Sequence, residues 1–240
     1  LRVLVTRSKY DAAHLIEELG LRNIEAVLAP LLEIEFFSGP VLNLEGVQAL
    51  LMTSANGVRA FSRRSDNRDL RVVAVGDATA QAARGHGFDN VISAAGDVDH
   101  LASAVIRGLK PEDGAVLHPA GTAVAGCLER LLGAAGYNYR RVVLYEAKSV
   151  GLLPTVARDG FINGAFDGVL IYSPRTGVTF HRLVMESGLA STLDKVWAFC
   201  LSENVAGSIS GLPWASILIA PRPEQTALLA LLDKCVKEGS

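Results

Sequence analysis

Two short stretches combine small polar residues with a preceding apolar run in a way that suits anion binding. The first is Thr53-Ser54-Ala55-Asn56-Gly57 after Leu50-Leu51-Met52, and the second is Gly76-Asp77-Ala78-Thr79-Ala80 after Val72-Val73-Ala74-Val75. In each, a buried strand would deliver hydroxyls or a glycine to the start of a helix, whose first amide hydrogens point outward and favour negative charge. Gly76 would let backbone approach a ligand, with Asp77 or Thr79 capping the helix. A carboxylate could be held this way without a lysine. Plain helix capping is the commonest use of such residues, and it is their repetition at equivalent strand ends that points to a ligand. Tyr145 offers a phenol that can donate a proton or orient a leaving hydroxyl, and packing of its ring is the competing use. Arg7, Arg140, Arg141 and Arg175 are candidates to pair with carboxylates in bidentate fashion.

Several other chemistries find no support. There is no G-x-G-x-x-G or G-x-x-x-x-G-K-[ST] run, so dinucleotide and nucleoside triphosphate binding are weakly indicated. No G-x-S-x-G elbow is present, and Ser54 and Ser173 lack an evident histidine and acid partner. His14, His86, His100, His118 and His181 are scattered without ligand spacing, so no metal is expected. Cys127, Cys200 and Cys235 are odd in number and sit in apolar or helical surroundings, which predicts buried free thiols in a reducing compartment.

The elements that must position these groups repeat. Val169-Leu170-Ile171-Tyr172-Ser173-Pro174-Arg175-Thr176-Gly177 copies the first stretch, and Val196 to Leu201 followed by Ser202-Glu203-Asn204-Val205-Ala206 copies the second. Arg2 to Thr6 reads as a strand, and Asp11 to Leu19 as a helix with Gly20 at its C-cap. Strands at Ala49–Met52, Val72–Val75, Asn90–Ser93 and Ala115–His118 alternate with helices at Val58–Arg63, Ala78–Arg84, His100–Leu109 and Thr122–Leu132. Such alternation predicts an α/β fold with parallel sheets covered on both faces. After Phe166 too few strands remain to match the first set, and residues 1–33 supply the deficit. The expected organisation is one discontinuous lobe of residues 1–33 plus 150–240, an inserted lobe of 41–140, and two linker segments, 34–40 and 141–149, paired as a ladder, with a cleft between the lobes.

Composition narrows the partners. With 240 residues, half of them hydrophobic, the chain can bury one large or two small cores. A formal charge of -2 and a pI near 6.2 argue against a nucleic-acid partner. Every apolar run is too short to span a membrane, and no charged-then-apolar leader is seen, so the cytoplasm is the expected compartment.

These residues together resemble the uroporphyrinogen-III synthase family. The resemblance is carried by Val5-Thr6-Arg7, Thr53 to Val58, Val75 to Ala80, Gly96-Asp97-Val98-Asp99-His100-Leu101, Val143-Leu144-Tyr145, Ile171-Tyr172-Ser173-Pro174 and Pro223 to Leu228, in that order over nearly the whole chain. It implies two flavodoxin-like or Rossmann-like lobes joined by a two-stranded linker. It also implies a cofactor-free lyase that removes water from the linear tetrapyrrole hydroxymethylbilane, inverts the terminal pyrrole ring and closes the macrocycle. On this resemblance Tyr145 assists the leaving hydroxyl. Thr53, Ser54, Ala55, Gly76, Asp77, Ala78 and Thr79, with Arg7, Ser173, Pro174 and Arg175, bind the acetate and propionate side chains. A monomer is expected, in transient contact with hydroxymethylbilane synthase. One departure stands out: Ser202-Glu203-Asn204-Val205 lacks the glycine and threonine usual in the family, and Glu203 would repel a carboxylate. That departure leaves a second reading, a non-catalytic binder of a tetrapyrrole or other polycarboxylate with the same fold.

Overall fold

The computed structural model describes residues 1–123 and 126–238. In chain order the strands and helices are β1 (Arg2–Val5), α1 (Lys9–Gly20), β2 (Glu25–Leu28), β3 (Leu32–Phe36), β4 (Val47–Met52), α2 (Ala55–Ser62), β5 (Arg71–Ala74), α3 (Asp77–Gly85), β6 (Val91–Ser93), α4 (Val98–Gly108), β7 (Ala115–Gly121), α5 (Leu128–Ala134) and β8 (Tyr139–Ser149). There follow α6 (Thr155–Ile162), β9 (Gly168–Ile171), α7 (Pro174–Glu186), β10 (Trp197–Cys200), α8 (Glu203–Gly207), β11 (Ser216–Ile219) and α9 (Gln225–Glu238). The chain divides into two compact units, one of Leu1–Glu33 with Lys148–Ser240 and one of Ile34–Ala147.

In the discontinuous unit the sheet order is β2-β1-β9-β10-β11, with parallel pairing throughout. Relabelled by position in the chain this is 2-1-3-4-5, the flavodoxin-like order, whose switch point lies between β1 and β9. Alternation along the strands sorts the core into two layers. Val3, Val5, Leu170 and Phe199 face α1 and α9 through Leu15, Leu19, Leu228 and Leu232. Leu4, Val169, Ile171 and Ala198 face the opposite way, onto Phe161, Phe180 and Leu183 of α6 and α7. A strand buried on both faces needs apolar residues at every position, which is why these runs are short and uninterrupted.

The second unit carries a six-stranded sheet of order β3-β8-β7-β4-β5-β6. Strands β8, β7, β4, β5 and β6 pair in parallel, and here the switch point lies between β4 and β7. Leu50, Met52, Val72 and Leu117 pack with Val58 and Phe61 of α2, while Ala49, Leu51, Val73 and Val116 pack with Leu101, Val105 and Leu132 on the other face.

Strand β8 is paired with β7 from Val116↔Tyr139 to Gly121↔Tyr145, with β3 beside it and the Phe37 amide bonded to the Leu144 carbonyl at 2.8 Å. Three local expectations are corrected. Strand β7 continues three residues past His118 in spite of Pro119. Its last partner on β4 is Leu117↔Leu50, so the missing proline N–H removes no bond from that side of the ladder. Gly20 belongs to α1 itself; the helix stops at Leu21 and the left-handed residue is Asn23, at φ 56°, a residue type that tolerates αL. The helix expected over Thr122–Leu132 is shorter at its front and begins at Leu128, with Val124 and Ala125 outside the described residues.

Candidate active site

At the switch point of the second unit, β4 delivers Thr53 and Ser54 beside the end of β7. Ser54, with extended backbone, is the N-cap of α2 and its Oγ accepts from the Gly57 amide at 3.2 Å. Gly57 is required there because a Cβ would stand 2.7 Å from the Pro119 carbonyl oxygen, which is how closely α2 approaches β7. The same Ser54 hydroxyl lies 2.7 Å from the hydroxyl of Tyr145 on β8. Tyr145 is buried, its ring 6.5 Å from that of Phe36. Space for the ring is left by Gly121, where a Cβ would come within 2.9 Å of it.

A second polar chain runs next to the first. His118, 2% exposed, places Nε2 3.0 Å from Thr53 Oγ1 and Nδ1 2.6 Å from the Tyr139 hydroxyl. Burial, helped by the Arg141 charge, lowers its pKa from 6.5 to about 4, so the imidazole is neutral at pH 7. Burial likewise pushes the Tyr139 phenol up to about 12. Arg141 itself donates to the carbonyls of Gly121 and Thr122 at 2.7 and 3.0 Å, and Arg140 to that of Glu45 at 3.0 Å.

The depressed pKa has a consequence for stability. Between the unfolded value near 6.5 and the folded value near 4 the unfolded chain binds more protons at this histidine, so its contribution is complete above about pH 6.5 and is lost as pH falls toward 4. The expected loss is on the order of 3 kcal/mol. Denaturant midpoints measured from pH 7 to pH 4 should fall more steeply for the parent than for His118→Gln, and parallel curves would refute the assignment.

The helix N-termini of this unit differ in what they leave open. Asp97 caps α4, its carboxylate accepting from the Asp99 and His100 amides at 3.0 and 3.1 Å and lying 2.7 Å from His100 Nδ1, while its own backbone amide donates to His100 Nδ1 at 3.5 Å and completes a capping box. Those bonds hold the Asp97 carboxyl below its ordinary range and leave α4 closed to an external anion. Helix α3 is different: its N-cap is Gly76 and no side chain caps it. The expectation that Asp77 or Thr79 would cap it is therefore corrected. Asp77 and Ala78 are exposed first-turn residues, and Thr79 is 7% exposed with its side chain turned inward, so only its backbone amide is available. The first amides of α3 are therefore left without a side-chain cap.

In the discontinuous unit, Arg7 follows β1 at its switch point. Its guanidinium stacks 4.4 Å over the Tyr172 ring and donates to Gln225 Oε1 at 2.9 Å, and Gln225 in turn donates to Glu18 at 2.6 Å. Burial raises the Tyr172 pKa. Ser173 is the N-cap of α7, accepting from the Thr176 amide at 3.2 Å, with Pro174 at the first helical position and Arg175 exposed after it. Ser202 makes no side-chain cap to α8, a helix of 5 residues, and with Glu203, Asn204, Ala220, Pro221 and Pro223 it lines a groove of about 410 Å³.

Sequence reasoning missed His118, because a lone histidine on an apolar strand carries no spacing signal. It also expected three buried cysteines. Cys200 and Cys235 are buried, but Cys127 is exposed, since it precedes α5 at the surface instead of lying inside an element. Among the described residues no group of three or more His, Cys, Asp or Glu is arranged to hold a metal, and no helix is long and apolar enough to cross a membrane.

Solved structures similar to this chain share its fold at low sequence identity. The uroporphyrinogen-III synthetase of Helicobacter pylori aligns with a TM-score of 0.65 at 17% identity, covering 96% of this chain and 97% of that one. A variant uroporphyrinogen III synthase of Thermus thermophilus aligns with a TM-score of 0.53 at 14% identity, covering 99% of both. No curated protein sequence matches significantly. A family model described as uroporphyrinogen-III synthase HemD matches residues 11–230. That match takes in the β4–β7 switch point and β9, with β1 and Arg7 lying ahead of it, and the chain belongs to the uroporphyrinogen-III synthase family.

Proposed function

We propose that the family reaction, closure of hydroxymethylbilane to uroporphyrinogen III with loss of water and inversion of the last pyrrole ring, is carried out here by Tyr145 with Ser54, and that the open N-terminus of α3 grips the substrate. The observation that carries this reading is the 2.7 Å pair between the Ser54 and Tyr145 hydroxyls at the β4–β7 switch point. The substrate is already disposed to react, because the electron-rich pyrrole pushes out its hydroxymethyl oxygen to leave an azafulvenium cation that keeps its N–H proton. Tyr145 gives its proton to the departing oxygen, so that water leaves and hydroxide does not. Ser54 donates to the phenolate formed. When the attacking pyrrole carbon has closed the macrocycle and rearomatises, the proton it releases restores the phenol. One water is lost and the protein returns unchanged.

The carboxylates are met by the amides of Asp77, Ala78 and Thr79, with Thr53, Ser54 and Ala55 close to the reacting end. Arg7, Ser173, Pro174 and Arg175 contribute further side-chain contacts in this reading. Helix-end dipoles and local guanidinium groups supply positive potential without a positive net charge, which reconciles a polyanionic substrate with a slightly acidic chain. The reading extends to a monomer in the cytoplasm that takes its substrate in transient contact with hydroxymethylbilane synthase.

Gly76→Ala tests the grip. A Cβ at Gly76 would meet only the Gly96 carbonyl oxygen, at 4.0 Å, and its φ of -159° is open to any residue. Stability should fall by no more than about 1 kcal/mol, the difference between good and poor N-caps. The added methyl would occupy space a carboxylate needs, and KM for hydroxymethylbilane should rise on the order of tenfold, equivalent to about 1.4 kcal/mol of binding. An unchanged KM would overturn the assignment.

A further inference from the structure

His118 has both ring nitrogens engaged, by Tyr139 on one side and Thr53 on the other. A neutral imidazole has one donor and one acceptor, so only two arrangements are open. In one, Nδ1–H donates to Tyr139 and Thr53 donates to Nε2. The phenol proton of Tyr139, a partly buried residue, then has no acceptor among the described residues, and 2.6 Å is short for an N–H donor. In the other, the phenol donates to Nδ1 across 2.6 Å and Nε2–H donates to Thr53 Oγ1. Both donors are then satisfied at separations that suit an O–H and an N–H donor respectively, and the one proton left over is that of Thr53, a partly exposed residue at the carboxyl end of β4 next to Ser54.

We propose that His118 is a positioning residue: it takes its proton on Nε2, makes the Thr53 hydroxyl its acceptor, and thereby turns the Thr53 proton outward as a donor to a substrate carboxylate. This rests on the reading that places Thr53 and Ser54 at the substrate. The charged and titratable groups facing the chain are Arg141 beside His118 and, toward Tyr139, Glu129 and Cys127. None of them offers a better acceptor for the phenol, since neither Glu129 nor Cys127 is hydrogen-bonded to it among the described residues. Thr53 has no partner but His118 among the described residues, which is what a hydroxyl kept for a ligand requires.

The test combines kinetics and spectroscopy. Thr53→Val should raise KM for hydroxymethylbilane about tenfold, more than it lowers kcat, because it removes a donor to a charged group. His118→Leu should do the same, and adding it to Thr53→Val should bring no further rise in KM. His118→Gln, whose amide nitrogen can reach Thr53, should recover most of the loss, and Tyr139→Phe, which keeps the ring and its packing, should reproduce a part of it. If Thr53→Val leaves KM unchanged, the placement of Thr53 at the substrate is wrong. If Thr53→Val raises KM while His118→Leu and Tyr139→Phe do not, that placement stands and the role of His118 falls. Independently of folding in the variants, nitrogen-15 spectra of the parent protein should show His118 protonated at Nε2; protonation at Nδ1 would overturn the proposal.

Discussion

Tyr145→Phe is expected to lower kcat by about 10²- to 10⁴-fold, the range over which a positioned acid contributes, while the affinity for uroporphyrinogen III changes little. The substitution keeps the buried ring against Phe36 and removes only the hydroxyl that meets Ser54. What survives is the substrate's own tendency to expel its hydroxyl, held in a productive fold by the remaining contacts. Ser54→Ala should have a smaller effect, because it weakens the support for the phenolate without removing the acid. Steady-state turnover with hydroxymethylbilane, alongside a product-binding titration, separates the two terms. Equal turnover in mutant and parent would remove Tyr145 from the chemistry.

The second large effect is expected from Gly121→Ala, a change that adds one methyl group and removes no polar atom. The new Cβ would stand 2.9 and 3.0 Å from two ring carbons of Tyr145, closer than such contacts allow, so the ring must move. Displacement of a reacting group by a fraction of an ångström to one ångström costs on the order of 10- to 100-fold in rate. Overpacking should also cost about 1–3 kcal/mol of stability, so turnover is to be measured well below the unfolding temperature. Gly133→Ala is the control, since nothing lies within 4 Å of a Cβ there. Combined with Tyr145→Phe, the Gly121 change should reduce kcat no further, because both act through the same hydroxyl. An additive loss would show that Gly121→Ala acts on the fold at large.

Much of the scaffold was legible because its physics is local. Short apolar runs at Leu50–Met52, Val72–Ala74 and Val169–Ile171 can be satisfied only by a sheet covered on both faces, and the helix starts at Ser54 and Ser173 are marked by the residues that cap them. The parallel α/β class followed from the alternation of such runs with helical ones. What was illegible depends on register. Ser54 and Tyr145 are 91 positions apart, and their meeting follows from β7 separating β4 from β8 with Gly121 opposite Tyr145. Likewise His118 joins Tyr139 only because β7 and β8 run parallel with Val116 opposite Tyr139. The strand expected over Ala115–His118 runs on to Gly121, because at Pro119 the ladder toward β4 had already finished at Leu117. At Gly76 the sequence offered two neighbouring side chains as caps; the structure uses neither, and that choice leaves the α3 amides open to a ligand. Nothing in residue type alone distinguishes this helix end from that of α4, which Asp97 closes.

The most direct measurement supplies hydroxymethylbilane to the purified protein under reducing conditions and identifies the macrocycle formed. Unassisted closure joins the chain without inverting the last ring and gives the type I isomer. Formation of uroporphyrinogen III in the parent protein, reverting toward the type I product in Tyr145→Phe as the uncatalysed route overtakes it, is the result predicted. A type I product from the parent protein at the rate of the protein-free reaction would contradict it.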